Sequence, residues 1–203
     1  MKILLLVAHP ALERSRVHRA LLARVPRVEG LTLHDLYEAY PSFDVDVPRE
    51  QALLTAHDLV IVQHPFFWYS TPALVKQWED LVLEHGWAYG REGTALRGKY
   101  WLHVISTGGR EAAYQHEGYN RFTMRELLAP LEQTAVLCGM TWLPPYVIHG
   151  THRMDEPAIA AEAAAYEALL GRLRRDTLDL ARVQGAPTLN AALCASEPGD
   201  ARP

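Results

Sequence analysis

Residues 3–8 read ILLLVA, six apolar positions with no polar interruption. A strand with water on one face alternates apolar and polar residues. A strand that is apolar at every position has to be covered on both faces. Such strands belong to parallel sheets with helices packed above and below, so this run by itself points to an α/β architecture. The run is too short for a secretory leader and ends at His9-Pro10 without a small-residue cleavage site. No stretch approaches the ~18 apolar residues of a membrane span. Two cysteines, Cys138 and Cys194, are too few for a disulfide framework, so the expected location is the reducing cytoplasm.

Strand-like and helix-like segments alternate after this run. Residues 14–25 put Val17, Leu21, Leu22 and Val25 on one helical stripe. Residues 31–36 alternate as a second strand. Pro48 suits the first turn of a short helix, and 58–63 (DLVIVQ) form a third strand. Pro72 opens a helix with Leu74, Val75, Trp78, Leu81 and Val82 at helical spacing. Residues 100–106 make a fourth strand, and 122–138 a helix disturbed at Pro130. Residues 142–148 make a fifth strand broken by Pro144-Pro145, and 159–180 an alanine-rich last helix. Five strands separated by helices predict a three-layer sandwich around a parallel sheet. Right-handed crossovers favour the strand order 2-1-3-4-5. The domain is expected over 1–180. Residues 181–203 are expected to be a mobile tail, because 185–203 hold three prolines, two glycines and five alanines but no long apolar stretch.

In open parallel sheets ligands bind beyond the carboxyl ends of the strands. Three loops therefore carry the chemistry. The first, AHPALERSRVH, leads into a helix that Ser15 is placed to cap, with amides that would accept a phosphate. From the residues alone, cap and phosphate site stand as equal readings. There is no G-x-G-x-x-G and no phosphate-loop motif of the triphosphatases. The second loop, QHPFFWYSTP, sets Phe66, Phe67, Trp68 and Tyr69 after a buried strand. Such aromatics either cover a flat ligand such as an isoalloxazine ring or pack under the loop or into a subunit interface. The third, STGGREAAYQHEGYNRF, has Gly108-Gly109, which permits close backbone approach, followed by Tyr114, His116 and Tyr119. A net charge of −4 offers no basic surface for nucleic acid. The histidines show no H-x-x-x-H spacing, so no metal site is expected. Arg172, Arg174 and Arg175 read as a solvated helix face.

The stretches AHP at 8–10, HPFFWYSTPALVKQWED at 64–80, HGWAYGREGTALRGK at 85–99, STGG at 106–109 and CGMTWLPPYVIHG at 138–150 resemble the flavodoxin-like NAD(P)H dehydrogenase (quinone) family. Within it the chain resembles the ancillary quinone oxidoreductases of the glutathione-regulated potassium-efflux system. The likeness runs from residue 1 to about 173. It implies a flavin, FMN or alternatively FAD, reduced by NAD(P)H through hydride transfer to its N5 and reoxidised by a quinone in alternating, ping-pong fashion. It implies phosphate contacts at His9, Ser15, Arg16, Val17 and His18. It implies ring-edge contacts at Pro65, Phe66, Phe67, Trp68 and Tyr69, and pyrimidine-side contacts at Ser106, Thr107, Gly108 and Gly109. Gly108, Gly109 and Tyr114 would stabilise charge on the reduced ring. The resemblance also implies a homodimer and a potassium/proton antiporter as partner, met on the inner face of the membrane. Relatives often carry Asn at the position of His18, and a histidine seen beyond the Gly-Gly in several members falls at Tyr119.

Overall fold

The computed structural model describes residues 1–25 and 30–196. The apolar runs become the expected strands: β1 (Ile3–Val7), β2 (Leu31–Asp35), β3 (Leu59–Pro65) and β4 (Tyr100–Ser106). The fifth strand is split by Pro144-Pro145, which supply no ladder donor, into β5 (Thr141–Trp142) and β6 (Tyr146–Ile148), both paired with β4. All pairings are parallel and the order is β2-β1-β3-β4-β5, as the sequence predicts. Every residue of β1 is fully buried. Leu4 and Leu6 enter one core, and Ile3, Leu5 and Val7 the other, as the two-residue period of a strand requires.

The first core is closed by α3 (Val47–Ala56), α4 (Ala73–Val82) and α6 (Ala129–Leu137). The second is closed by α1 (Arg16–Ala23) and α7 (Glu156–Arg174). A one-turn helix the sequence did not announce, α2 (Leu36–Ala39), follows β2, capped by the Asp35 carboxylate. In the first core Glu50 is fully buried and accepts from His34 Nε2 (2.8 Å), the Tyr40 hydroxyl (2.5 Å) and Trp78 Nε1 (2.8 Å). Burial pushes this carboxyl up, but the three donors outweigh it and hold it below the usual carboxylate range.

Several expectations need correction. The helix at 122–138 is two helices, α5 (Met124–Leu127) and α6, because Thr123 forms a capping box with Glu126 and a new helix starts at Ala129-Pro130. The last long helix starts at Glu156 behind the Asp155 cap and stops at Arg174, six residues short of the predicted end. Leu81, placed on the buried stripe of α4, is 38% exposed.

The largest correction concerns the tail. Residues 180–196 carry α8 (Leu180–Val183) and α9 (Leu189–Ser196). Leu180, Val183 and Leu189 lie in the second core. The Leu189 N–H donates to the Pro145 carbonyl, and the Asn190 side chain accepts from the Val147 N–H at 2.7 Å. Three well-spaced aliphatic side chains and a sheet-edge partner suffice to dock a segment that composition alone marks as loose. The rest of the expected tail, 197–203, lies outside the described residues.

Candidate functional site

The carboxyl ends of β1, β3 and β4 face one side, and their loops meet there. Ser15 caps α1 with extended backbone and accepts the His18 N–H at 3.1 Å. The N–H groups of Arg16 and Val17 have no acceptor among the described residues, and both residues line a cavity of about 450 Å³. Two free donors at a helix N-terminus make an anion site. The Arg16 guanidinium bonds the Glu156 carboxylate (2.8 Å) and the Met154 carbonyl (2.9 Å), which holds it beside α7. His9 lines the same cavity. Its Nδ1 accepts the Ala11 N–H at 3.1 Å, so the neutral ring carries its proton on Nε2. Burial lowers its pKa, despite opposing charges from Glu13 and Asp35.

β3 runs to Pro65 and delivers Phe66, which is buried. Phe67 and Ser70 then exchange backbone bonds of 3.1 and 3.0 Å around Trp68 and Tyr69, whose φ angles are 49° and 62°. A two-residue hairpin with both central φ positive is normally made with Asn-Gly. Here two bulky aromatics adopt it. Strain of this kind, on the order of 1–3 kcal/mol per residue, accumulates at ligand sites. The Trp68 and Tyr69 N–H groups have no acceptor among the described residues, and Trp68 is 93% exposed.

At the end of β4, Ser106 and the following Thr107 are buried and line the first cavity with Gly108. The Thr107 hydroxyl lies 2.5 Å from the Tyr114 hydroxyl and accepts the Gly109 N–H at 3.3 Å. Tyr114, Gly109, Trp68, Tyr69 and Tyr119 line a second cavity of about 340 Å³, and Phe66 borders both cavities.

Of the residues singled out from sequence, His9, Ser15, Arg16, Val17, Pro65, Phe66, Phe67, Ser106, Thr107 and Gly108 line the first cavity. Trp68, Tyr69, Gly109 and Tyr114 line the second. His18 departs from expectation. Its side chain is fully buried, with Nε2 2.8 Å from Ser106 Oγ and Nδ1 3.1 Å from Gln63 Nε2. One residue past Val17, its side chain turns inward, so only its backbone stays near the phosphate loop. Burial, reinforced by His9 and His64, pushes its pKa down to about 3. His116 is exposed beside Glu126, away from both cavities.

Sequence reasoning missed Arg14, Thr151 and His152, which also line the first cavity. His152 lies over Gly108: a β-carbon added at Gly108 would stand 2.4 Å from its ring. The signal was the HGTH stretch at 149–152, the loop after the last strand, which the rule about strand ends covers equally. Among the described residues no three His, Cys, Asp or Glu side chains gather as a metal site.

Residues 1–170 match a family model described as flavodoxin-like fold. The chain belongs to this flavodoxin-like family. It is 46% identical over 165 residues to the glutathione-regulated potassium-efflux system ancillary protein KefG of Enterobacter sp. (strain 638), covering 81% of this chain and 90% of that protein. Among solved structures, the general stress protein 14 of Treponema denticola in complex with FMN is 36% identical with a TM-score of 0.80, over 85% of this chain and 99% of that one. The NADPH-quinone reductase of P. pentosaceus is 35% identical with a TM-score of 0.75, over 83% and 97% of the two chains. A structure described as a thermophilic tryptophan halogenase from Streptomycin violaceusniger is 42% identical with a TM-score of 0.80, over 82% and 97%. These differing names show why the shared fold does not by itself assign an activity.

Proposed function

We propose that this chain is a flavin-dependent NAD(P)H:quinone oxidoreductase that binds one FMN, with FAD as the alternative. The observation that carries this reading is the set of backbone donors at three strand ends that have no acceptor among the described residues. They are the N–H groups of Arg16 and Val17, of Trp68 and Tyr69, and of Gly108, all on two adjoining cavities. The first pair suits a phosphate; the others suit the electron-rich edge of a flat ring. The size of the first cavity is that of a small-molecule site. The FMN complex of the T. denticola relative and the name of the P. pentosaceus reductase support the same reading.

When bound, flavin supplies two-electron hydride chemistry that no side chain here can supply. The chain's own part is positional and electrostatic. Ser15 and the α1 amides anchor the phosphate, and the His9 Nε2–H adds a neutral donor. The Trp68, Tyr69 and Gly108 amides meet negative charge as it develops. Tyr114 and Thr107 hold one another at the border of the two cavities, where a proton can be held or passed. The second cavity, walled by Phe66, Trp68, Tyr69 and Tyr119, takes the nicotinamide and the quinone in turn, which makes the kinetics ping-pong.

The test is direct. Denatured protein should release one FMN per chain on chromatography, and the yellow protein should bleach with NADPH and recolour with a benzoquinone. A protein that carries no flavin and takes none up on reconstitution would end this reading.

A second reading is compatible with the first. The 46% identity to an ancillary protein of a potassium-efflux system supports a regulatory role on a potassium/proton antiporter at the inner membrane face. Among the described residues no helix is long and apolar enough to cross a membrane, so such a role would be peripheral. Co-purification with the antiporter tests it.

A further inference from the structure

A chain of buried hydrogen bonds runs from α7 through β3 and α1 to the end of β4. Tyr166 is fully buried and donates its hydroxyl to Gln63 Oε1 at 2.9 Å. That phenol proton has no other acceptor among the described residues, so Gln63 turns its carbonyl oxygen toward the tyrosine and its amide nitrogen away. The amide nitrogen donates to His18 Nδ1 at 3.1 Å. His18 Nδ1 is therefore an acceptor, and the proton of the neutral ring sits on Nε2, 2.8 Å from Ser106 Oγ. Ser106 Oγ accepts that bond, and its own proton needs an acceptor elsewhere. Ser106 lines the first cavity.

We infer that Tyr166, Gln63 and His18 act as positioning residues that fix the Ser106 hydroxyl as a hydrogen-bond donor into the cavity, aimed at an acceptor oxygen or nitrogen of the bound flavin. The inference rests on the flavin reading and adds to it a device that sets polarity from outside the cavity. Each link is directional, and all four residues are buried. Burial keeps His18 neutral down to about pH 3, so the direction does not reverse over the working range. A polar cluster that merely filled space would need no common direction, and its loss would act on stability rather than on the ligand.

The test is a double-mutant cycle on the full chain, with FMN as the probe and its fluorescence quenching as the readout. One oriented hydrogen bond corresponds to roughly tenfold in affinity. Ser106→Ala and His18→Leu should each weaken FMN binding about that much, and the double variant should be no worse than either single one. His18→Gln, whose amide nitrogen can still donate toward Ser106, should recover most of the loss. Melting temperatures identify a variant that fails to fold. In that event Tyr166→Phe, which removes only the first donor, is read by nitrogen NMR of the histidine rings in flavin-free protein. Wild type should show His18 protonated on Nε2 alone from pH 5 to 8, and Tyr166→Phe should show a mixture. Additive penalties in the cycle, or a wild-type ring protonated on Nδ1, overturn the inference while leaving the flavin reading intact. A wild-type protein that takes up no FMN overturns the flavin reading and, with it, the role of Ser106 toward the ring.

Discussion

Gly108 shows how a single position can be legible for one reason and needed for another. The sequence marks it through the Gly-Gly pair and its backbone freedom. The structure gives it no left-handed φ; what stands in a side chain's way is the exposed His152 ring, which a β-carbon would meet at 2.4 Å and which would have to move aside. Gly108→Val should therefore weaken FMN binding by more than tenfold, by driving His152 into the cavity. Gly108→Ala should regain binding when combined with His152→Ala; equal binding by Gly108→Ala with and without His152 would disprove this steric account. Tyr114 is a second case. Its hydroxyl is held by Thr107 at 2.5 Å, so Tyr114→Phe should leave FMN bound and slow turnover about tenfold, the low end for one positioned donor. Stopped-flow reduction and reoxidation rates that both match wild type would leave Tyr114 as cavity wall only. His18 was legible as a site-loop residue but not as an inward-facing one, because a single residue in a helix's first turn does not reveal which way its side chain points.

At the scale of elements, the strands were readable because burial on both faces leaves no polar residue along them. Their polar exceptions carry a consequence for stability. In β3 and β4, His64 and His103 are fully buried within a second directional chain. Trp101 Nε1 donates to His103 Nε2 (2.8 Å), His103 Nδ1 to His64 Nε2 (2.8 Å), and His64 Nδ1 to the Pro65 carbonyl (3.0 Å). Every ring nitrogen is used by the neutral form. Burial holds His64 down to about 4 and His103 well below the usual range, and His18 is held to about 3. An unfolded histidine titrates near 6.5, so between about pH 4 and 6.5 the unfolded chain binds more protons. Stability from these groups is thus full above 6.5 and is lost as pH falls. At full slope each histidine contributes about 1.4 kcal/mol per pH unit, and the three together about 4. Glu79, whose carboxyl burial pushes up to about 7, offsets part of this loss, so urea unfolding should show a smaller net loss of stability between pH 7 and 5, and a flat profile would refute the assignment. The breaks at Leu128 and Arg174 were less legible, because capping by Thr123 and termination before Asp176 depend on local bonds rather than on periodicity.

At the scale of the whole molecule, the exposed aromatics Trp68 (93%), Tyr119 (90%) and Tyr69 (47%), which line the second cavity, fit a two-fold interface. Light scattering at micromolar concentration should give a particle of twice 22.8 kDa. The C-terminal segment argues from the opposite side of the sheet. Composition hid its role because three buried aliphatic residues, Leu180, Val183 and Leu189, are diluted among alanines and polar residues. Their spacing, and the bonds to Pro145 and Val147, make the segment a cover for edge strand β6. An uncovered edge offers unpaired backbone groups to other chains. Ending the chain at Asp179 should therefore lower the melting temperature by roughly 5 °C or more, the shift expected for about 2 kcal/mol in a domain of this size. It should also promote aggregation. Leu189→Ala should cost nearly as much as the whole deletion. Once its anchor is lost the segment can undock, and local undocking caps the penalty at the free energy of docking. FMN affinity should stay within about threefold, since no residue of 180–196 lines the first cavity. A truncated protein that melts with the full chain would restore the view of a loose tail. One that melts lower and also loses FMN would show that support for β6 reaches the site through the Thr107 N–H, which donates to the Ile148 carbonyl at the strand's end.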